Sequence, residues 1–185
     1  MPKDQPFAAN ISSSEVVFEG MIWNVKSETF DFAGESLTRE FVAHPGAVAV
    51  IAINERDEVL MIRQYRHPVR ELLWEIPAGL LDVAGESAVE AASRELYEET
   101  GYLAGSIEPL IDFYTTPGGN SEQIQIFLAT DLKHVGRPSY QEGEERELLI
   151  EWVPLESALH SVLSSEIKSP SAQVGLMALA LRKRG

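Results

Sequence analysis

Apolar residues along this chain fall first into short alternating stretches and later into longer unbroken runs, and the change divides the sequence. Between Val16 and Val42 the side chains Val17, Met21 and Trp23, then Phe30, Phe32 and Phe41, recur with polar residues between them. Alternation of this kind predicts half-buried β-strands, and Ala33-Gly34-Glu35-Ser36 predicts a hairpin turn between two of them. The expectation is a small antiparallel β-sheet of about three strands. Such a piece is too small to be stable alone and must pack on the main domain or on another subunit. Residues 1–14 are polar and are expected to be disordered.

From Pro45-Gly46 onward the pattern changes. Ala47 to Ile53 is a nearly continuous apolar run, as a strand buried on both faces requires. Asn54-Glu55-Arg56-Asp57 reads as a turn, and residues 58–65 as the partner strand. Further strands are expected at 72–77, 106–114, 123–129 and 148–153, with helices near 87–100, 155–163 and 171–183. Strands and helices in this order predict an α/β fold, a sheet covered by helices on both faces. The expected domains are 1–44, carrying the N-terminal sheet, and 45–185.

The helix near 87–100 is the most specific element. Ser87-Ala88-Val89-Glu90 has the form of a capping box, and Thr100-Gly101 supplies a left-handed stop. Val89, Ala92 and Leu96 are expected to share the apolar stripe. Beside that stripe stand Arg94, Glu95, Glu98 and Glu99. Glu95 and Glu99 lie about 40° apart around the axis, and like charges at these spacings repel. A solvated face would explain a generic run of acids. A glycine-rich loop before the helix and an arginine within it point instead to hard oxygen ligands for Mg²⁺ or Mn²⁺. Glu95 and Glu99 are the leading ligands, with Glu98 next and the carbonyl of Ala78 exposed by the turn at Gly79.

Composition narrows the partners. The chain of 185 residues has no cysteine, which excludes disulfides, thiol catalysis and thiolate metal sites. Its 15 Lys+Arg against 29 Asp+Glu give a net charge of −14, which argues against nucleic acid or an anionic membrane as a partner. No apolar run approaches the ~20 residues that span a bilayer, and the N-terminus lacks the apolar core of a secretory signal. A cytoplasmic location is therefore expected. Basic side chains are nevertheless concentrated between Val59 and Arg70, as Arg63, Arg66, His67 and Arg70 without an acid among them. Arginine suits phosphate because its planar fork grips two oxygens.

The segment from Gly79 to Tyr102 resembles the signature of the Nudix hydrolases. Glu86, Arg94, Glu95, Leu96, Glu98, Glu99 and Gly101 stand at the family spacing, and Tyr102 fills a position that is usually aliphatic. One departure is that six residues, not five, separate Gly79 from Glu86. Outside this box, Arg39-Glu40, His44-Pro45-Gly46, Arg63-Gln64-Tyr65-Arg66 and Trp74-Glu75-Ile76-Pro77-Ala78-Gly79 resemble the ADP-ribose pyrophosphatase branch. The Leu80-to-Glu86 loop is most similar to its actinobacterial form.

What the resemblance implies can be stated residue by residue. It implies the Nudix α/β/α sandwich with a mixed sheet, and metal-dependent hydrolysis of ADP-ribose to AMP and ribose 5-phosphate. Another nucleotide sugar such as GDP-mannose is the alternative substrate, and a non-catalytic ADP-ribose sensor is the alternative class. Arg39, Arg63, Glu75, Pro117 and Trp23 are implied in substrate binding. Pro117 stands sixteen residues after Gly101, a spacing that accompanies ADP-ribose specificity in the family. Trp23, Phe30 and Tyr65 are candidate platforms for adenine. Arg94 is expected to orient a helix glutamate or a loop, and Glu86 to bind metal through water or to pair with Arg94. The general base is implied to be a glutamate on the loop before the last strand, with Glu145 favoured over Glu144 and Glu147. A homodimer is also implied, in which the N-terminal sheet completes the neighbour's substrate site.

Overall fold

The computed structural model describes residues 1–139 and 147–185. The chain divides into two compact units, one formed by Met1–Pro45 with Tyr114–Glu122 and the other by Gly46–Phe113 with Gln123–Gly185.

The first unit is an antiparallel sheet of β1 (Asn10–Phe18), β2 (Asn24–Phe32) and β3 (Glu35–Ala43), in that order. Ala33 and Gly34 turn between β2 and β3 with φ of 53° and 86°, the left-handed pair that suits a two-residue hairpin. Two expectations need correction here. Strand β1 begins at Asn10, inside the stretch expected to be disordered. It is held by polar cross-strand bonds that leave no apolar periodicity to read. Asn10 donates to Asp31 at 2.9 Å, Ser12 to the Thr29 carbonyl at 3.1 Å and Ser14 to Glu28 at 2.9 Å. The alternation from Val17 to Trp23 is also interrupted, since β1 ends at Phe18 and Trp23 directly precedes β2.

Residues 114–122 join this unit by a short parallel bridge between Val42 and Asn120. The Val42 amide donates to the Gly119 carbonyl at 3.0 Å, and the Ser121 amide to the Val42 carbonyl at 3.0 Å. The pairing begins just after the Pro117-Gly118-Gly119 turn.

The second unit is built on β4 (Ala47–Ala52), every residue of which is buried. It pairs in parallel with β9 (Gln123–His134) and antiparallel with β7 (Ala78–Leu80), within the order β7-β4-β9-β8, where β8 is Tyr102–Tyr114. A second, antiparallel sheet runs β10-β5-β6, from Leu149–Pro154, Glu58–Arg66 and Glu71–Glu75. The strand expected at 72–77 is β6, which ends at Glu75, and Ile76 and Pro77 carry the chain on into a further short strand, β7, that was not expected. The helices are α1 (Ala88–Thr100), α2 (Leu155–Leu163) and α3 (Pro170–Arg184).

Alternation along the central strands sends side chains to two cores. Ala49, Ile51, Ile126 and Leu128 pack in one cluster with Leu155, Ala158, Leu176 and Leu179 of α2 and α3. Val48, Val50, Ala52 and Phe127 pack in the other with Ala91, Ala92 and Leu96 of α1. This is the α/β/α sandwich with a mixed sheet. Helix α3 comes close to β4 at Gly175, where an added Cβ would lie 2.9 Å from the Ile51 side chain. No helix among the described residues is long and apolar enough to cross a membrane.

Candidate active site

Helix α1 begins and ends where its local chemistry dictates. The Ser87 hydroxyl accepts from the Glu90 amide at 3.3 Å, and the Glu90 carboxylate accepts from the Ser87 amide at 2.8 Å. Gly101 closes the helix with φ 75° and donates its N–H to the Tyr97 carbonyl at 2.8 Å. A side chain at position 101 would meet the backbone of Gly136 and Arg137 at 2.6 Å, so both the dihedral and the space demand glycine. The buried stripe is Ala91, Ala92 and Leu96, continued by Glu99 and Thr100. Val89, expected in that stripe, is exposed. By angle it falls within the buried arc, about 20° from both Leu96 and Thr100, so its place in the first turn of the helix rather than its face accounts for the exposure.

The glutamates are fixed by two different devices. Glu99 is only 5% exposed, and its Oε2 accepts from the Ala78 amide at 3.0 Å. That bond ties the last turn of α1 to the first residue of β7. Glu95 lies so close to Gly79 that a Cβ there would sit 2.0 Å from its carboxylate. Arg94 supplies the second device. Its Nε and Nη2 donate to the two oxygens of Glu86 at 2.8 and 2.9 Å. Its Nη1 donates to Glu95 at 2.6 Å and to Glu98 at 3.1 Å. One guanidinium, 29% exposed, thereby holds three carboxylates.

Electrostatics follow from that geometry. The hydrogen bonds from Arg94 hold the Glu86 carboxyl below its ordinary range, against the opposing effect of desolvation. Arg94 is held more firmly protonated in return, chiefly by Glu86. Sequence spacing already places Arg94 and Glu98 one turn apart. The bidentate grip on Glu86 depends on the loop before the helix. There the Glu86 amide donates to the Val83 carbonyl at 3.2 Å, and Gly85 turns with φ 84°.

Among the described residues no three acidic or histidine side chains already form a metal cage. The carboxylates of Glu86, Glu95 and Glu98 are directed to Arg94, and that of Glu99 to the Ala78 amide. The donor set still suits a hard divalent cation, being entirely carboxylate and carbonyl oxygen. Gly79 contributes by leaving open the space that a Cβ would take from Glu95.

The remaining sequence-selected residues fall into separate settings. In the second unit, Glu75 is buried and engaged on both oxygens, by Arg66 at 2.8 and 2.7 Å and by Gln64 at 3.4 Å. Arg63 lies over the Trp74 ring, 5.4 Å from its centroid and directly across the strand pair. Tyr65 is exposed beside His67. In the first unit, Trp23 is 43% exposed and packs on His44. Phe30 is half-buried on β2, Arg39 is exposed on β3, and Pro117 is exposed in its turn. Glu144 and Glu145 lie outside the described residues, and Glu147 is exposed just before β10. The pairing of His44 with Glu122 behind Trp23 was not anticipated. The two are far apart in sequence, and the only sequence signal was the position of His44 in a motif already singled out.

Comparison with known proteins gives a consistent result. The family model for the NUDIX domain matches residues 43–173. An ADP-ribose pyrophosphatase of Mycobacterium tuberculosis is 40% identical over 90% of this chain and 81% of its own length. Another ADP-ribose pyrophosphatase, from Bacillus subtilis, is 35% identical over 92% of each chain. A crystal structure of an ADP compounds hydrolase shares the fold with a TM-score of 0.77 over 99% of each chain, at 24% identity. The helix box, the sandwich that presents it and these matches across most of the sequence agree: the chain belongs to the Nudix family.

Proposed function

We propose that this Nudix protein is a pyrophosphatase that hydrolyses the diphosphate of ADP-ribose to AMP and ribose 5-phosphate, using Mg²⁺ or Mn²⁺. The observation that carries the reading is the cluster of Glu86, Glu95 and Glu98 around Arg94, with Glu99 locked to Ala78 beside Gly79. Two relatives covered over most of their length bear the name ADP-ribose pyrophosphatase, which supports the substrate.

In this reading Glu95, Glu99 and Glu98 would hold the cation with the Ala78 carbonyl. When bound, a divalent cation neutralises diphosphate charge and lowers the pKa of its water. Arg94 keeps Glu95 and Glu98 oriented through the hydrogen bonds of one guanidinium nitrogen. Arg63 meets the diphosphate from beside Trp74, its guanidinium carbon 5.4 Å from that ring's centroid. Glu75 acts as a wall that orients Arg66. Trp23 or Phe30, of the first unit, serves the neighbouring subunit's substrate in the homodimer implied by the resemblance, and Arg39 and Pro117 also bind substrate. Glu145 takes the proton from the attacking water.

Hydrolysis of ADP-ribose beside GDP-mannose, NADH and diadenosine polyphosphates, with a chelator control, tests the reading. Release of AMP from ADP-ribose at a rate well above the others is expected. Preference for GDP-mannose would keep the chemistry and overturn the substrate, and binding without turnover would make the protein a sensor. Glu145→Gln is expected to lower kcat by about 10²- to 10⁴-fold with little change in KM. If Glu147→Gln has that effect instead, the base is misassigned.

A further inference from the structure

Trp23 has a support that nothing in its sequence neighbourhood announces. Its ring stacks on that of His44, with centroids 5.2 Å apart and planes 31° from parallel. The His44 side chain is only 4% exposed, whereas Trp23 remains 43% exposed. One side of the indole is thus backed by a buried imidazole, and a large part of the ring is presented to solvent. Behind the imidazole stands Glu122, with Oε1 at 3.4 Å from His44 Nε2. The other oxygen of Glu122 accepts from the Thr115 hydroxyl at 2.7 Å, and the Glu122 amide donates to the Asn120 side chain at 2.9 Å. The His44 amide donates to the Ser121 hydroxyl at 2.9 Å.

The backbone of Trp23 is equally constrained. A Cβ at Gly20 would lie 2.3 Å from the Trp23 carbonyl oxygen, so the β1–β2 turn closes only because residue 20 has no side chain. The Gly20 amide also donates to the Asn24 side chain at 3.3 Å. Two apolar neighbours in that turn, Met21 and Ile22, are more exposed than Trp23. A buried imidazole paired with a largely covered carboxylate, 4% and 21% exposed at their side chains, fixes an exposed aromatic ring from behind. This is an uncommon construction for a surface residue, because polar groups drawn from water need partners within the protein. It is well suited to a ring that must receive a flat ligand without first being ordered.

We propose that His44 and Glu122 are positioning residues that hold Trp23 as a stacking face for the purine of the nucleotide substrate. This deepens the ADP-ribose reading and rests on it for the identity of that purine. The same contacts explain why the 114–122 segment matters. Glu122 and Ser121 hold the His44 ring and backbone, so the turn containing Pro117 and the stacking face form one braced unit. His44 touches no substrate in this account and acts only through Trp23.

The test uses the full chain and two independent readouts. The first is calorimetric binding of AMP without divalent cation, which reports base recognition apart from turnover. Trp23→Ala is expected to weaken AMP binding about tenfold, and His44→Gln and Glu122→Gln to weaken it by a smaller factor. The double variant His44→Gln with Trp23→Ala is expected to bind AMP no more weakly than Trp23→Ala alone. The second readout is ADP-ribose hydrolysis, in which His44→Gln is expected to raise KM while leaving kcat within about twofold. Glu122→Gln retains an acceptor for Thr115 and carries the test if His44→Gln does not fold.

Additive losses in the double variant, unchanged AMP binding in either single variant of the pair, or undetectable AMP binding by the unaltered chain would each overturn the proposal. So would a fall in kcat at constant KM. Failure of the ADP-ribose reading is seen separately, as absent hydrolysis by the unaltered protein whatever the AMP cycle gives.

Discussion

Replacement of Glu99 by glutamine is expected to lower turnover about a thousandfold at saturating substrate and cation, a loss of about 4 kcal/mol in transition-state stabilisation. The fold is expected to survive. Glu99 is nearly inaccessible and its visible partner is the Ala78 amide. A glutamine amide oxygen can accept that same N–H, so the link between α1 and β7 is kept while the negative charge is removed. The melting temperature should therefore stay within about 4 °C of the original, the span of about 1 kcal/mol for a chain of this size. Kinetics with purified Glu99→Gln, together with a thermal melt, check both halves. Unchanged turnover would remove Glu99 from the metal site. Full recovery at a hundredfold higher cation concentration would reduce its role to affinity alone.

Arg94→Lys is expected to act differently. Lysine keeps the positive charge but lacks the fork that reaches Glu86 with two nitrogens and Glu95 and Glu98 with a third. Loss of a group that orients metal ligands typically costs 10- to 100-fold in metal affinity or activity, so the half-saturating Mg²⁺ concentration should rise by about 10- to 100-fold. Much of the lost rate should return at high Mg²⁺. A titration of activity against Mg²⁺ distinguishes the two variants, since Glu99→Gln is not expected to be rescued. A Mg²⁺ dependence unchanged by Arg94→Lys would mean that charge alone, not the fork, arranges the glutamates.

The Glu86–Arg94 pair also has a pH signature. Because the folded-state pKa of Glu86 is lowered, its contribution to stability is complete above the ordinary glutamate pKa of 4.5 and is lost as pH falls below that value.

Legibility in the sequence tracked how local each determinant was. The cap at Ser87, the stop at Gly101 and the buried strand at Ala47–Ala52 depend on residues a few positions apart, and all could be read directly. The two-core alternation of β4 followed from its unbroken apolar run. The first half of β1, before Val16, was invisible because side-chain hydrogen bonds across to β2 replace the usual apolar rhythm. Val89 failed because angular position alone does not say how far along its axis a helix is covered, and Val89 stands in the first turn. The acids and Arg94 were evident as a motif, but not how one guanidinium would apportion them. The attachment of 114–122 to the end of β3 could not be read at all, since a parallel bridge between Val42 and Asn120 has no local signature. Glu122 behind His44 was hidden for the same reason.

The grip of Arg94 on three carboxylates also bears on folding. In many small metalloproteins the ion is part of what makes the chain fold, so synthesis and metal supply are coupled. Here an internal cation already stands among Glu86, Glu95 and Glu98, and a backbone amide already satisfies Glu99. The mutual repulsion of these acids is offset within the polypeptide itself. In the metal role proposed above, folding and loading would then be separate events, and the folded chain would not depend on its ion to balance these charges.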